Sequence, residues 1–157
     1  VMHINMEHLA EVTDRPKPVV EVRCGTCHRG LARPRLLDDE LALVLADSGL
    51  DAAGRRYRAL REQYYGSGAY DFRAPVLDHL ARGETQAGRA DNAIGLLTLN
   101  AEFYPASGTI PFLMGEAYLQ KGDTAAALAG YREALAKDPT IVPAQRRLAA
   151  LSGAGPR

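Results

Sequence analysis

The sequence feature that most constrains the fold is an internal repeat with a period of 34 residues in the second half of the chain. Identical or similar residues recur at this offset, and the matched pairs are Ala81 with Gly115, Gly88 with Gly122, Ala93 with Ala127, Leu97 with Tyr131, and Pro105 with Pro139. Small residues let two helices touch, a glycine makes the turn between them, and a proline ends the second helix. The sequence therefore predicts two consecutive helical hairpins.

This unit resembles the tetratricopeptide repeat, a helix-turn-helix motif of the same length. The second copy matches the family pattern at Gly115, Tyr118, Gly122, Ala127, Tyr131, Ala134 and Pro139. The first copy departs from it at Glu84, where a tyrosine is usual, and at Asn100, where an alanine is usual. The resemblance covers about residues 70–151, of which 141–151 are expected to form a capping helix. It implies a module for docking or self-assembly.

Two repeats are fewer than such stacks usually need, because each repeat hides its apolar face only against a neighbour. The missing neighbour is expected to come from the helices at 38–65, from the N-terminal segment or from another subunit. Since repeats stacked head to tail build rings or filaments, we expect a homo-oligomer or a part of a larger complex.

Two further helices are predicted before the repeats. Acidic residues at 38–40 favour a helix start, and Gly49 can end that helix. A second helix at 51–65 carries apolar side chains on one face and arginines on a face that we expect to be solvated, namely Tyr57, Leu60 and Tyr64 against Arg55, Arg56, Arg58 and Arg61. Glycines at 66 and 68 then interrupt the chain.

The N-terminal part contains the chain's only two cysteines, in the run Cys24-Gly25-Thr26-Cys27-His28. Two thiols at this spacing can each form a thioether bond with a haem vinyl group, and the histidine that follows can bind the iron. We therefore predict one covalently attached haem c, with Cys24 and Cys27 as the attachment points and His28 as the proximal ligand.

Two other interpretations of the cysteine pair are less favoured. A structural zinc site would need further ligands at a suitable spacing, and the three other histidines do not supply them. A thioredoxin-like dithiol would need a helix that starts at the first cysteine, but Gly30 and Pro34 follow instead.

A six-coordinate haem also needs a distal ligand, for which methionine sulfur and histidine nitrogen are the usual donors. A predicted helix at 2–13 offers Met2 and Met6, which are the leading candidates, and His3 and His8. A residue upstream of Val1 is a further alternative, and packing in a core remains open for the methionines.

Arginines follow the cysteine motif closely in the sequence. Haem carries two propionate carboxylates, and guanidinium groups bind carboxylates well. Arg33 and Arg35 are therefore predicted to pair with the propionates, and a solvated loop is the alternative.

About the first 35 residues resemble a haem segment of the photosynthetic reaction-centre cytochrome subunit family. The resemblance is carried by a helix with Ile4-Asn5 and His8-Leu9, by Val22, by Cys24-x-Thr26-Cys27-His28-Arg29-Gly30, and by Pro34. It implies that the helix before the cysteine motif donates a methionine ligand to the haem iron, and that electrons pass along a chain of haems. The sequence departs from the family in having one haem motif, and the family methionine would fall slightly upstream of Ile4.

The composition of the chain excludes some function classes, and the haem motif indicates a location. Basic and acidic residues number 19 each, so no nucleic-acid footprint is evident. No apolar run approaches the roughly 20 residues needed to span a bilayer. Because haem c is attached outside the cytoplasm, and the sequence starts at Val1 without an initiator methionine, we expect a processed or truncated export product that is periplasmic or extracellular.

These inferences predict an all-α fold with a haem-binding segment at 1–37, connecting helices at 38–69, and tetratricopeptide repeats at 70–157. The expected function is that of a monohaem c-type cytochrome, not an enzyme, which carries or relays single electrons to a redox partner protein or to neighbouring haem subunits. The alternative is a protein-interaction scaffold with a structural or sensory haem. A haem peroxidase is less favoured, since no distal histidine and arginine pair has a recognisable spacing.

Overall fold

The computed structural model describes residues 35–153, and all of the regular secondary structure in this part of the chain is helical. Its six helices are α1 Leu37–Tyr64, α2 Ala74–Gln86, α3 Ala90–Phe103, α4 Thr109–Gln120, α5 Thr124–Lys137 and α6 Val142–Ser152. The all-α fold class is thereby confirmed over these residues. None of the described helices is long and apolar enough to cross a membrane. Nearly all of the predicted haem-binding segment lies outside the described residues.

The long helix α1 is interrupted at Gly49. This residue has a φ of 80° and a ψ of −179°, a conformation that glycine adopts without the steric cost of a Cβ atom. Asp38, Asp39 and Glu40 lie in the first turn, where carboxylates interact favourably with the helix dipole. The predicted break at Gly49 and the helical stretches on both sides of it are confirmed.

The two predicted hairpins are present, as α2 with α3 and α4 with α5. Gly88 and Gly122 make the two turns with φ values of 81° and 82°. Their backbone N–H groups each donate a hydrogen bond of 3.0 Å, to the carbonyls of Thr85 and Leu119 respectively. The same turn is therefore built twice, one repeat period apart, and α6 follows as the last helix.

Small residues allow the helices of the second hairpin to touch. A Cβ atom added to Gly115 would lie 2.6 Å from the ring of Tyr131, and one added to Gly130 would lie 2.8 Å from the carbonyl oxygen of Pro111. The predicted role of Gly115 as a contact residue is confirmed, and Ala81 is fully buried at the equivalent position of the first hairpin.

The apolar interior is formed by two adjoining clusters. The larger one contains side chains from α1 through α4, including Leu41, Tyr57 and Leu97, and the smaller one holds Tyr131 with neighbours on α5 and α6. Phe112 of α4 packs against both clusters. Because α1 packs on α2 and α3, it provides the first hairpin with the neighbour that the repeat needs.

Candidate functional site

Most residues predicted to hold the haem lie outside the described part of the chain, namely Cys24, Cys27, His28, Met2, Met6 and Arg33, together with the alternative ligands His3 and His8. Within residues 35–153, no group of three or more histidine, cysteine, aspartate or glutamate side chains could hold a metal ion. His79 is exposed on α2. The haem site therefore stays a prediction from the sequence.

Arg35 is the one predicted haem contact that the structure describes. Its Nη1 lies 3.6 Å from Oε2 of Glu40, and Nη2 of Arg56 lies 2.8 Å from Oε1 of the same carboxylate. Half of the Arg35 side chain is exposed, and an exposed ion pair contributes at most about 1 kcal/mol. Arg35 can therefore exchange Glu40 for another carboxylate at little cost, and its pairing with a propionate remains a prediction.

The clearest groove on the hairpins lies between their first helices, α2 and α4. It has a volume of about 170 Å³ and is lined by Arg82, Thr85 and Gln86 of α2 and by Phe112, Leu113 and Glu116 of α4. Arg82 and Glu116 occupy equivalent positions in the two repeats, 34 residues apart. The groove therefore has one cationic wall and one wall that carries a carboxylate and an aromatic ring.

The carboxylate of Glu116 is held in place by the two helices that follow it. It accepts hydrogen bonds from the Tyr131 hydroxyl at 2.6 Å and from Nε and Nη2 of Arg147 at 2.8 Å and 2.6 Å. Burial, followed by the hydrogen bond to Glu116, raises the pKa of Tyr131 well above its ordinary value. Glu116 thus ties α4 to α5 and α6, and its charge is largely compensated by Arg147.

Arg82, on the opposite wall, is exposed and has no hydrogen bond or ion pair with a described side chain. Its charge lowers the pKa of the buried carboxyl of Asp78, but this effect is smaller than those of burial and of the hydrogen bond from Asn100. A guanidinium with free donors beside a half-buried phenyl ring can bind a carboxylate and an apolar side chain at once. The groove therefore offers a ligand the guanidinium of Arg82 and the phenyl ring of Phe112.

The first departure from the repeat pattern, Glu84, is explained by an ion pair between this buried carboxylate and the exposed Arg89. Oε1 and Oε2 of Glu84 accept hydrogen bonds of 2.6 Å and 2.7 Å from Arg89, and Oε2 accepts a third of 2.8 Å from Asn92. The hydrogen bond from Arg89 is the largest effect on this group, and the pKa of Glu84 is lowered as a result. The glutamate therefore fastens the turn between α2 and α3.

The second departure, Asn100, also makes buried hydrogen bonds. Its Nδ2 donates to the carbonyl of Ala74 and to Oδ1 of Asp78, each at 2.9 Å. Burial raises the pKa of Asp78, whereas the hydrogen bond from Asn100 lowers it to a smaller extent. Asn100 thus joins α3 to α2 through polar groups. At the equivalent position of the second hairpin, the buried residue is the apolar Ala134.

Sequence reasoning was wrong about Arg61, which is half-buried among aromatic rings instead of lying on a solvated face. Its guanidinium carbon lies 4.1 Å from the ring centroid of Tyr65 and 4.5 Å from that of Phe103. Its Nη1 donates to the carbonyl of Phe72 at 3.3 Å. The sequence did contain a signal for the burial of Arg61, because this residue lies four positions after Tyr57 on the apolar side of the helix. It contained no signal that the Phe103 ring of α3 would pack there.

The other arginines of that helix fit the predicted exposed face. Arg56 pairs with Glu40, and Arg58 makes a bidentate contact with Glu102 of α3, with a closest distance of 2.6 Å. Arg55 is exposed and lines a groove of about 360 Å³ between α1 and α3. In that groove Arg58 is paired with Glu102, whereas Arg55 has no ion pair with a described residue.

Comparisons with known proteins add little about function. No protein-family profile matches the sequence, and no curated protein matches it either. Among solved structures, the chain is similar to one described as the crystal structure of PcrH in complex with the chaperone binding region of PopB. The two share 19% identity over 74% of this chain and 90% of that chain, with a TM-score of 0.45.

Proposed function

We propose that the chain is a monohaem c-type cytochrome that carries single electrons, and that its helical hairpins dock it to the protein with which it exchanges them. The observation that carries the proposal is the run from Cys24 to His28, which supplies both thioether positions and an iron ligand. When bound, the haem supplies the one-electron couple. Met2 or Met6 is the leading distal ligand, and Arg33 and Arg35 pair with the propionates.

The groove between α2 and α4 is the docking site in this proposal. The free guanidinium of Arg82 takes an acidic group of the partner, and Phe112 takes an adjacent apolar side chain. On the other wall, Glu116 is already paired with Arg147, so Arg82 provides the free charge that the partner meets. The partner is a redox protein or a neighbouring haem-bearing subunit, and the chain works outside the cytoplasm as part of an assembly.

A second candidate is an interaction scaffold whose haem is structural or sensory. The observation in its favour is that the described residues form two helical hairpins with a further helix packed on either side of them. A sensory haem would keep its distal position open to a small ligand, whereas an electron carrier keeps both axial positions filled. Binding of carbon monoxide to the reduced protein separates the two.

Covalent attachment is tested with the full chain produced in a host that matures c-type cytochromes. We expect a pyridine haemochrome of the c type with one haem per chain. The matched control changes Cys24→Ala and Cys27→Ala together, and it should lose the covalent haem while it keeps the helical circular dichroism of the hairpins. A wild-type chain without covalent haem would contradict the proposal.

The docking groove is tested by a peptide-display selection against the wild-type chain. We expect enriched peptides to combine an acidic residue with a neighbouring large apolar residue, and to lose binding to Arg82→Glu. Arg132→Glu is the control, since Arg132 is exposed on α5 and outside the groove. Selected peptides that bind both variants equally would show that the groove at Arg82 is not the docking site.

A further inference from the structure

Exposed apolar side chains are concentrated on the first and last described helices. The large apolar residues that are most exposed are Leu36 at 67%, Tyr65 at 65%, Leu43 at 54% and Val142 at 47%. Tyr65 covers the guanidinium of Arg61. Leu36 immediately precedes α1, Leu43 lies in its first half and Val142 begins α6, and these are the first and last helices of the described stack.

The exposed side chains at the start of α1 share one side of the helix. Leu36, Asp39, Leu43 and Asp47 follow one another at helical spacing and are all exposed, and we call them the α1 outer face. The buried leucines 37, 41 and 45 lie on the opposite side. Neither aspartate forms an ion pair with a described residue, so the face is apolar and acidic.

The last helix presents a face of the opposite charge. Val142, Arg146 and Ala149 are exposed along one side of α6, and we call them the α6 outer face. Ala144, Leu148 and Leu151 pack on the other side, against α5. Arg147 is occupied by Glu116, whereas Arg146 has no ion pair within the described part of the chain. The α6 outer face is therefore apolar and basic.

We infer that the α1 outer face of one chain binds the α6 outer face of a second copy, head to tail. Leucines would meet Val142, and Asp39 or Asp47 would meet Arg146, so both the apolar contacts and the charges are complementary. Pairing of two α1 outer faces would instead oppose like charges. A head-to-tail contact leaves one free face at each end, so further copies can be added.

The inference rests on the proposal that the chain works as part of an assembly, and it uses neither the haem motif nor the groove at Arg82. Its failure would leave both of those intact. Because the two faces are different surfaces, a mutation can remove one face and leave the other able to bind.

The test measures the mass of the full chain by sedimentation as its concentration rises. We expect the wild type to grow beyond a dimer, and Leu43→Asp and Val142→Asp each to stay monomeric. An equimolar mixture of the two variants should form a one-to-one dimer and stop there, because each variant keeps the face that the other has lost. Ala59→Asp, which adds a charge at an exposed position of α1 away from the face, should assemble like the wild type.

A charge exchange provides a second measurement on the same faces. Arg146→Asp should weaken assembly, and adding Asp39→Arg and Asp47→Arg in the same chain should restore it at low salt. A wild-type chain that stays monomeric at millimolar concentration overturns the proposal. So does a Val142→Asp variant that still assembles, since that result would show that the α6 outer face is not needed for the contact.

Discussion

At the scale of single residues, both departures of the first repeat from the tetratricopeptide pattern are buried polar side chains with specific partners. Glu84 is bound by Arg89 and Asn92, and Asn100 by Asp78 and a backbone carbonyl. Leaving one partner of such a contact buried and unpaired costs more than the contact itself contributes. The positions are therefore expected to tolerate paired changes better than single ones.

Replacement of Glu84 tests the ion pair directly. Glu84→Gln removes the charge that Arg89 binds, and we expect the free energy of unfolding near neutral pH to fall by about 1–3 kcal/mol in urea denaturation. Because the pKa of Glu84 is lowered in the folded state, its contribution is present at higher pH and is lost as the pH falls through the folded pKa. The difference between variant and wild type should therefore begin to shrink near the ordinary glutamate pKa of about 4.3. A pH-independent difference would contradict this account.

The sequence could flag Glu84 and Asn100 as unusual but could not supply their reasons. Arg89 and Asn92 are near Glu84 in the sequence, and a polar turn was foreseeable from them. Asp78, in contrast, meets Asn100 only because α2 and α3 pack side by side. Contacts of the second kind follow from tertiary geometry that no local pattern contains.

At the scale of the helices, the hairpins were predictable because the repeat fixes both their period and their turns. Gly49, Gly88 and Gly122 all have the positive φ that a helix break or turn requires at those points. The aromatic cluster around Arg61 was not predictable, because it combines rings from α1, from α3 and from the connection at 65–73. The spacing of Arg61 from Tyr57 indicated which arginine would turn inward, but no sequence pattern showed which rings would surround it.

Close helix contact in the second hairpin predicts a sharp difference between two glycines. Gly130→Ala would place a Cβ atom 2.8 Å from the Pro111 carbonyl, so we expect a loss of about 1–3 kcal/mol in thermal or chemical unfolding. The control is Gly83→Ala on α2, where the added Cβ atom would have no other atom within 4 Å. The free energy of unfolding should rise there by about 0.5–1 kcal/mol, because alanine has the higher helix propensity. Equal effects at the two sites would rule out close packing at Gly130.

The buried pair that joins α2 to α3 predicts strong coupling between two mutations. Asn100→Ala alone should destabilise the chain, since it leaves the buried carboxyl of Asp78 without its donor. Asp78→Leu combined with Asn100→Ala should be close to neutral or stabilising, because neither polar group then remains buried. A double-mutant cycle of unfolding free energies measures this coupling, and simple additivity of the two changes would contradict it.

At the scale of the whole molecule, α1 and the hairpins share one continuous interior. The larger core cluster extends from α1 to α4, and Phe112 joins it to the smaller cluster at α5 and α6. The sequence correctly placed a helical neighbour among its candidates for completing the repeats, because the helices at 38–65 carry apolar faces of the right spacing. The sequence did not show which of the candidate neighbours packs against the repeats, because that depends on tertiary contacts.

The haem prediction comes from covalent chemistry within five consecutive residues, and it needs no tertiary contact to be stated. The distal ligand is different, because it must approach the iron from another segment, and spacing leaves Met2, Met6, His3 and His8 as candidates. Spectroscopy of the axial ligands is therefore the measurement that distinguishes them.

The proposed electron-carrier function is tested most directly by an optical redox titration of the full chain. We expect one covalently bound haem per chain, a single reversible one-electron transition, and a low-spin six-coordinate spectrum in both oxidation states. A near-infrared band from iron–methionine coordination in the oxidised protein would assign the distal ligand to Met2 or Met6. Absence of covalent haem, or a reduced haem that binds carbon monoxide at once, would contradict the electron-carrier account.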